Sequence, residues 1–224
     1  MKNIFVLGYP HSGTSIVRHL IGSHPDVGEP IREALPSWVE PDEFPDKEFV
    51  VTKSAPADPK FLPLGDVNVL VIRDPRDSLA SLRLRGPESR AFAGDLERWC
   101  AWALEWKREA NRVPPGRFPY RRRGGNVVPV KYEDLFVPGN LAHLIRLVGL
   151  PECPDLLDHM RETKTPINFN HVPTDEPPRG RHEAFRSWQI NQPFENMSGQ
   201  NRGALSKEEI SLIGKTKAFQ AVYG

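Results

Sequence analysis

Cysteine is scarce in this chain of 224 residues: Cys100 and Cys153 are the only two, far apart and in no paired motif. That excludes a disulfide scaffold and a cysteine-rich zinc site, and it fits a reducing compartment. Long apolar runs are missing too. No stretch approaches the 18 or so apolar residues of a spanning helix. The first residues lead straight into the strand-like Ile4-Phe5-Val6-Leu7 without the apolar segment of a signal peptide, so a cytoplasmic location without a membrane partner is expected. Nor does either charge sign dominate. Thirty Lys and Arg against 29 Asp and Glu leave a net charge of +1, so nucleic acid is not an expected partner and any cationic site must be local. What remains is a globular composition, 38% hydrophobic and 26% charged, and residues 1–224 suit one full α/β domain.

A lysine is missing where it would be diagnostic. The apolar run enters Gly8-Tyr9-Pro10-His11-Ser12-Gly13-Thr14-Ser15, and Ile16, Val17, Leu20 and Ile21 follow at helical spacing. This order predicts a buried strand, a glycine-bearing turn and a helix N-terminus, which gather backbone N–H groups and a helix dipole about one anion. Gly8 and Gly13 have the spacing of a nucleotide P-loop, but Thr14 stands where that loop carries its lysine. Without the cation that meets the β- and γ-phosphates, the loop suits a smaller anion than a nucleoside triphosphate. A P-loop kinase acting on a small metabolite is thereby disfavoured, though it stays a rival reading.

Phe49-Val50-Val51-Thr52, residues 67–72 and residues 127–130 read as further strands, with Pro129 marking an edge or an end. Leu96, Trp99, Cys100, Ala103 and Leu104 have helical spacing, as do Leu141, Leu144, Ile145 and Val148. Ser206-Lys207-Glu208-Glu209 is a capping box that opens a last helix. The 23 prolines cluster at 30–48, 56–65, 114–119 and 173–178, which read as loops. Strands alternating with helices predict a P-loop-like α/β domain, a central parallel β-sheet flanked by helices, with its ligand beyond the carboxyl ends of the strands.

A second segment carries chemistry: Arg73-Asp74-Pro75-Arg76-Asp77-Ser78-Leu79-Ala80-Ser81 follows a buried strand. Arg73 at the strand end and hydroxyls at the start of the next helix make a second anion site. The plainer reading is an Arg–Asp ion pair and a capped helix.

Together the two segments resemble those of sulfotransferases that use 3′-phosphoadenosine 5′-phosphosulfate (PAPS). In that family Gly-x-Pro-Arg/Lys-Ser-Gly-Thr-Thr binds the 5′-phosphosulfate and Arg-Asp-Pro-Arg-Asp-x-x-x-Ser the 3′-phosphate. The resemblance places the donor on Tyr9, Pro10, His11, Ser12, Gly13, Thr14 and Ser15, and its 3′-phosphate on Arg73 and Ser81. Val130-Lys131-Tyr132-Glu133-Asp134-Leu135 is similar to the family's Tyr-Glu-Asp-Leu segment, which adds Tyr132 to the nucleotide contacts. Phe185-Arg186-Ser187-Trp188 resembles its C-terminal part, and Arg202-Gly203 the basic loop that closes over the nucleotide in several branches.

The resemblance implies transfer of a sulfuryl group from PAPS to a hydroxyl or amine, leaving adenosine 3′,5′-bisphosphate (PAP). The transfer needs no metal, and no acidic pair after a second strand mimics a magnesium ligand. The acceptor is a small molecule, glycan or peptide of unassigned class. His24-Pro25-Asp26-Val27 is similar to the tyrosylprotein branch. That branch has a lysine after its second strand, matched by Thr52-Lys53-Ser54-Ala55-Pro56, and a catalytic glutamate in Gly-Glu-Glu-Thr-Arg, matched by Gly28-Glu29-Pro30-Ile31-Arg32-Glu33. Lys53 would then stabilise the transferring group, and Glu29 or Glu33 would be the base. His11 departs from the family's Lys or Arg. It acts as a general acid or electrophile, or else it fills the loop of a protein that binds PAP without turnover. Trp99, Trp102 and Trp106 read as core packing before an adenine platform, and Arg121-Arg122-Arg123 as a solvated loop before an acceptor contact. Arg83 and Arg85 are further candidates for the 3′-phosphate.

Overall fold

Four apolar residues in a row at the start of the chain cannot all face one side of a sheet, and they do not. In the computed structural model, which describes residues 1–30, 39–53, 65–84, 91–112, 121–122, 125–162 and 194–224, β1 (Lys2–Gly8) lies inside a sheet of order β2-β3-β1-β4-β6-β5. The others are β2 (Val27–Gly28), β3 (Phe49–Lys53), β4 (Val67–Ile72), β5 (Arg121–Arg122) and β6 (Gly125–Lys131). All neighbours pair parallel except β5, which runs antiparallel to the start of β6.

Ile4 and Val6 face one layer, built by α1 (Thr14–Gly22), α4 (Asn140–Leu147) and α5 (Leu156–Glu162) through Leu20, Leu144 and Met160. Phe5 and Leu7 face the other, built by α2 (Pro75–Leu84), α3 (Phe92–Ala110), α6 (Lys207–Lys215) and α7 (Lys217–Tyr223) through Leu79, Trp99, Ile213 and Val222. Each of the four strand residues is fully buried, a contribution of about 1.5–3 kcal/mol apiece. Covered on both faces, the strand has no need of polar alternation.

Two strands carry no sequence pattern, because β2 and β5 are two residues long. Pro129 pairs with Leu70 inside β6, but β5 reaches only Gly125 and Asn126. At the level of Pro129, β6 has no outer neighbour among the described residues, which is where a residue without N–H is tolerated. The capping box is formed: Glu209 N donates to Ser206 Oγ at 3.2 Å and Ser206 N to Glu209 Oε2 at 2.8 Å. The last helix is two, because Thr216 leaves helical geometry and caps α7 with its hydroxyl. Of the proline-rich intervals, residues 56–64, 114–119 and 173–178 lie outside the described residues, while 39–48 contain a short 3-10 turn, Pro41–Glu43.

Candidate functional site

β1 delivers Gly8 to the carboxyl edge of the sheet, and the chain turns into α1 at Gly13, whose φ of 91° suits glycine. No side chain caps α1, so its first-turn amides are available to an anion. A Cβ on Gly8 would meet Val71 O at 2.3 Å, and one on Gly13 would meet Tyr132 Cδ2 at 2.4 Å. Both glycines therefore permit contacts that no other residue permits. His11, at φ 65°, is the one non-glycine residue with positive φ among those described, a strain typical of ligand loops. Its Nδ1 lies 3.2 Å from Ser81 Oγ. Ser12 is fully buried and its hydroxyl has no partner.

Lys53, buried at the end of β3, donates to Ser15 Oγ at 2.9 Å. Ser15 occupies the position at which a nucleotide P-loop holds magnesium with a hydroxyl. Here that hydroxyl faces an ammonium group from the neighbouring strand.

Arg73 closes β4. Its guanidinium stacks over the Tyr132 ring at 4.5 Å, Nη2 donates to Met197 O at 3.1 Å, and Nε is buried without a partner. Tyr132 thus packs against both the Gly8–Ser15 loop, at Gly13, and Arg73. Burial pushes its phenol above the usual range, against the pull of Arg73. Trp99 Nε1 donates to Arg73 O at 3.1 Å and Trp106 Nε1 to Val130 O at 3.2 Å. The tryptophan stripe is therefore core packing that also pins the carboxyl ends of β4 and β6.

The capped-helix reading describes Asp74 and Arg76. Asp74 Oδ1 accepts from Arg76 N at 2.8 Å, and Arg76 Nη2 pairs with Asp74 Oδ2 at 2.5 Å. Glu133 Oε1 accepts from Asp74 N at 2.8 Å, and its Oε2 accepts from Tyr223 OH at 3.1 Å. Burial pushes the Glu133 carboxyl above its ordinary range. Ser78 is fully buried with its hydroxyl unpartnered. Arg202 binds both oxygens of Asp77, at 3.0 and 2.9 Å, and Asp74 Oδ2 at 3.0 Å. Gly203 sits in the 3-10 turn Arg202–Ala204, and a Cβ there would meet nothing within 4 Å.

Other candidates lie apart from this group. Arg83 is engaged by Ala204 O and Glu209 at the start of α6. Glu29 accepts from Arg18 Nε at 2.7 Å and lies 3.0 Å from His19 Nδ1. Burial opposes its charge, but His19 and Arg18 prevail and hold the carboxyl below its ordinary range. Gly28 is level with Asn3 through their common partner Val50, five residues and about 16 Å of strand short of Gly8. Arg121 and Arg122 flank the first residues of β6, at the sheet edge opposite the loop. Glu33, Arg85, Arg123 and the segment 185–188 lie outside the described residues. Sequence reasoning missed Asp77, Glu133 and Tyr223. Asp77 lies within a motif already in view, and only its partner 125 residues away gives it a role.

Compared with known proteins, the chain matches no family model and no curated protein. Among solved structures it is similar to mouse sulfotransferase SULT7A1 complexed with PAP, with 15% identity and a TM-score of 0.62 over 98% of this chain and 84% of that one. At this identity the likeness is one of fold. The chain has the sulfotransferase fold, a central parallel sheet flanked by helices.

Proposed function

We propose that the protein is a PAPS-dependent sulfotransferase that acts on a hydroxyl or amine acceptor without a metal ion. The observation that carries this reading is the 3.2 Å approach of His11 Nδ1 to Ser81 Oγ. It joins the phosphate loop and the Arg73 segment in one site, suited to a nucleotide with phosphates at both the 3′ and 5′ carbons.

The residues fit such a ligand. Gly8 and Gly13 let the loop pack against β4 and the Tyr132 ring, while Ser12 Oγ, Arg73 Nε and Ser78 Oγ are buried polar atoms without partners. Such atoms are costly unless a ligand satisfies them. The similar sulfotransferase was solved with PAP. Lys53 argues against the kinase reading, since its ammonium holds the hydroxyl that would bind magnesium.

Bound there, the donor supplies a sulfuryl group already joined to a phosphate leaving group. The protein's part is electrostatic, as in phosphoryl transfer through a loose transition state. Residues 9–15 and the α1 terminus hold the 5′ end. Arg73, Ser81 and Tyr132 hold the 3′ end, bordered by Arg202 and Gly203. Lys53 contributes positive charge and His11 a hydrogen-bonding imidazole beside the 5′ end. A carboxylate of the 29–33 segment takes the acceptor's proton, and because Glu29 is committed to Arg18 and His19, that role falls to Glu33.

Thermal-shift measurements test the donor. Stabilisation by PAP and not by ATP with magnesium is expected, and the reverse result supports a kinase. Release of PAP from PAPS across a panel of acceptors then separates an enzyme from a PAP-binding protein without turnover, the reading left by His11.

A further inference from the structure

Asp74 and Asp77 are buried, at the start of the helix that follows the arginine this reading assigns to the 3′-phosphate. Left uncompensated, two carboxylates next to Arg73 would repel a phosphate dianion. Arg76 pairs with Asp74 locally, and a distant part of the chain reaches both carboxylates. Arg202 spans both, with three contacts of 2.9–3.0 Å, and Gly199 N donates to Asp77 Oδ1 at 2.8 Å. Two residues before Gly199, Met197 O receives the hydrogen bond from Arg73 Nη2. Between them Ser198 Oγ is buried with no partner. Residues 197–202 therefore cross the start of α2 with one end on Arg73 and the other on Asp77.

We propose that Asp77 and Arg202 form a latch that fixes residues 197–199 over Arg73, so that Arg202 serves the nucleotide by positioning Arg73 and neutralising Asp74 and Asp77 rather than by touching a phosphate. This rests on the donor assignment above and gives Asp77 and Arg202 the role of positioning residues. The hydrogen bonds to Asp77 also raise the Arg202 guanidinium above its ordinary range, as a committed ion pair does. Three of the five guanidinium N–H donors of Arg202, on Nε and Nη2, are committed to these two carboxylates. Arg73, by contrast, retains an unpartnered Nε.

A double-mutant cycle read by calorimetry distinguishes the latch from direct contact. The ligands are PAP and adenosine 5′-monophosphate, which lacks the 3′-phosphate, and the proteins are wild type, Asp77→Asn, Arg202→Gln and the double variant. Hydrogen bonds to charged groups set the scale, so each single change should weaken PAP about 10- to 100-fold. The double variant should be no weaker than Arg202→Gln alone, and affinity for the 5′-monophosphate should hold in all four. A change that merely loosened the fold would weaken both ligands together, and that result overturns the latch. So does an Asp77→Asn protein that keeps or gains PAP affinity, because freeing Arg202 should help if it touched phosphate, and so do losses that multiply in the double variant. Wild-type protein that ignores PAP overturns the donor assignment and the latch with it, which separates the two failures.

Discussion

Gly13 meets two requirements at once. Its φ of 91° is left-handed, and the Tyr132 ring occupies the place a side chain would take. Gly13→Ala should cost about 1–3 kcal/mol in strain alone and shift the loop off Tyr132. A lower thermal midpoint and at least a tenfold loss of PAP affinity are expected, and unchanged values in both would refute the packing. Lys53→Met should slow transfer by a factor on the order of a hundred or more while PAP still binds, as read by single-turnover kinetics. Glu29 is an internal counter-ion. Its carboxyl is held below its ordinary value, so its contribution to stability is full above that ordinary value and lost as pH falls through the depressed one. Glu29→Gln should cost about 3 kcal/mol at neutral pH and flatten the acid limb of a urea-denaturation series. Parallel curves for variant and wild type would contradict the buried triad.

The turn from β1 into α1 was legible in sequence because glycine, proline and hydroxyl residues at fixed spacing restrict the backbone locally. The partners of Glu29 were not. Arg18 and His19 are adjacent in sequence and read as ordinary positions of an amphipathic helix, and only the packing of α1 against the chain after β2 turns both towards one carboxylate. Asp77 was hidden for a related reason: its partner lies at a sequence separation that no local pattern spans.

Among elements, α7 does more than close the apolar layer over α3. Tyr223 donates to Glu133, Lys131 Nζ donates to Val222 O at 2.7 Å, and Arg76 lies over the Phe219 ring at 5.1 Å. Through Glu133, this helix fixes the backbone of Asp74 and hence the turn that presents Arg73. Tyr223→Phe removes one buried donor, and a loss of about 1–2 kcal/mol in urea denaturation is expected. A value within error of wild type would show that α7 does not brace the turn. Long elements were predicted because their apolar periodicity is a property of the chain itself. The two-residue strands β2 and β5 exist only through their neighbours, and the break at Thr216 depends on its cap rather than on any loss of apolar spacing.

For the molecule as a whole, the fold places the Gly8–Ser15 loop and the Arg73 segment at the carboxyl edge of one sheet, after β1 and β4, which are adjacent strands. That adjacency was not predicted, since alternation of strands and helices leaves strand order open, and of the course of residues 194–204 over α2 only Arg202-Gly203 stood out in sequence. It also separates the Arg121–Arg122 strand from the site, since β5 joins the opposite end of β6. The account depends on a divided grip, with Arg73 and Ser81 answering for one phosphate and the glycine loop for the other. The most direct measurement is the affinity of Arg73→Ala and Ser81→Ala proteins for PAP beside adenosine 5′-monophosphate. The account predicts that Arg73→Ala weakens PAP about 30-fold or more, and Ser81→Ala by less, with the monophosphate unaffected. PAP affinity equal to wild type in both variants would contradict it.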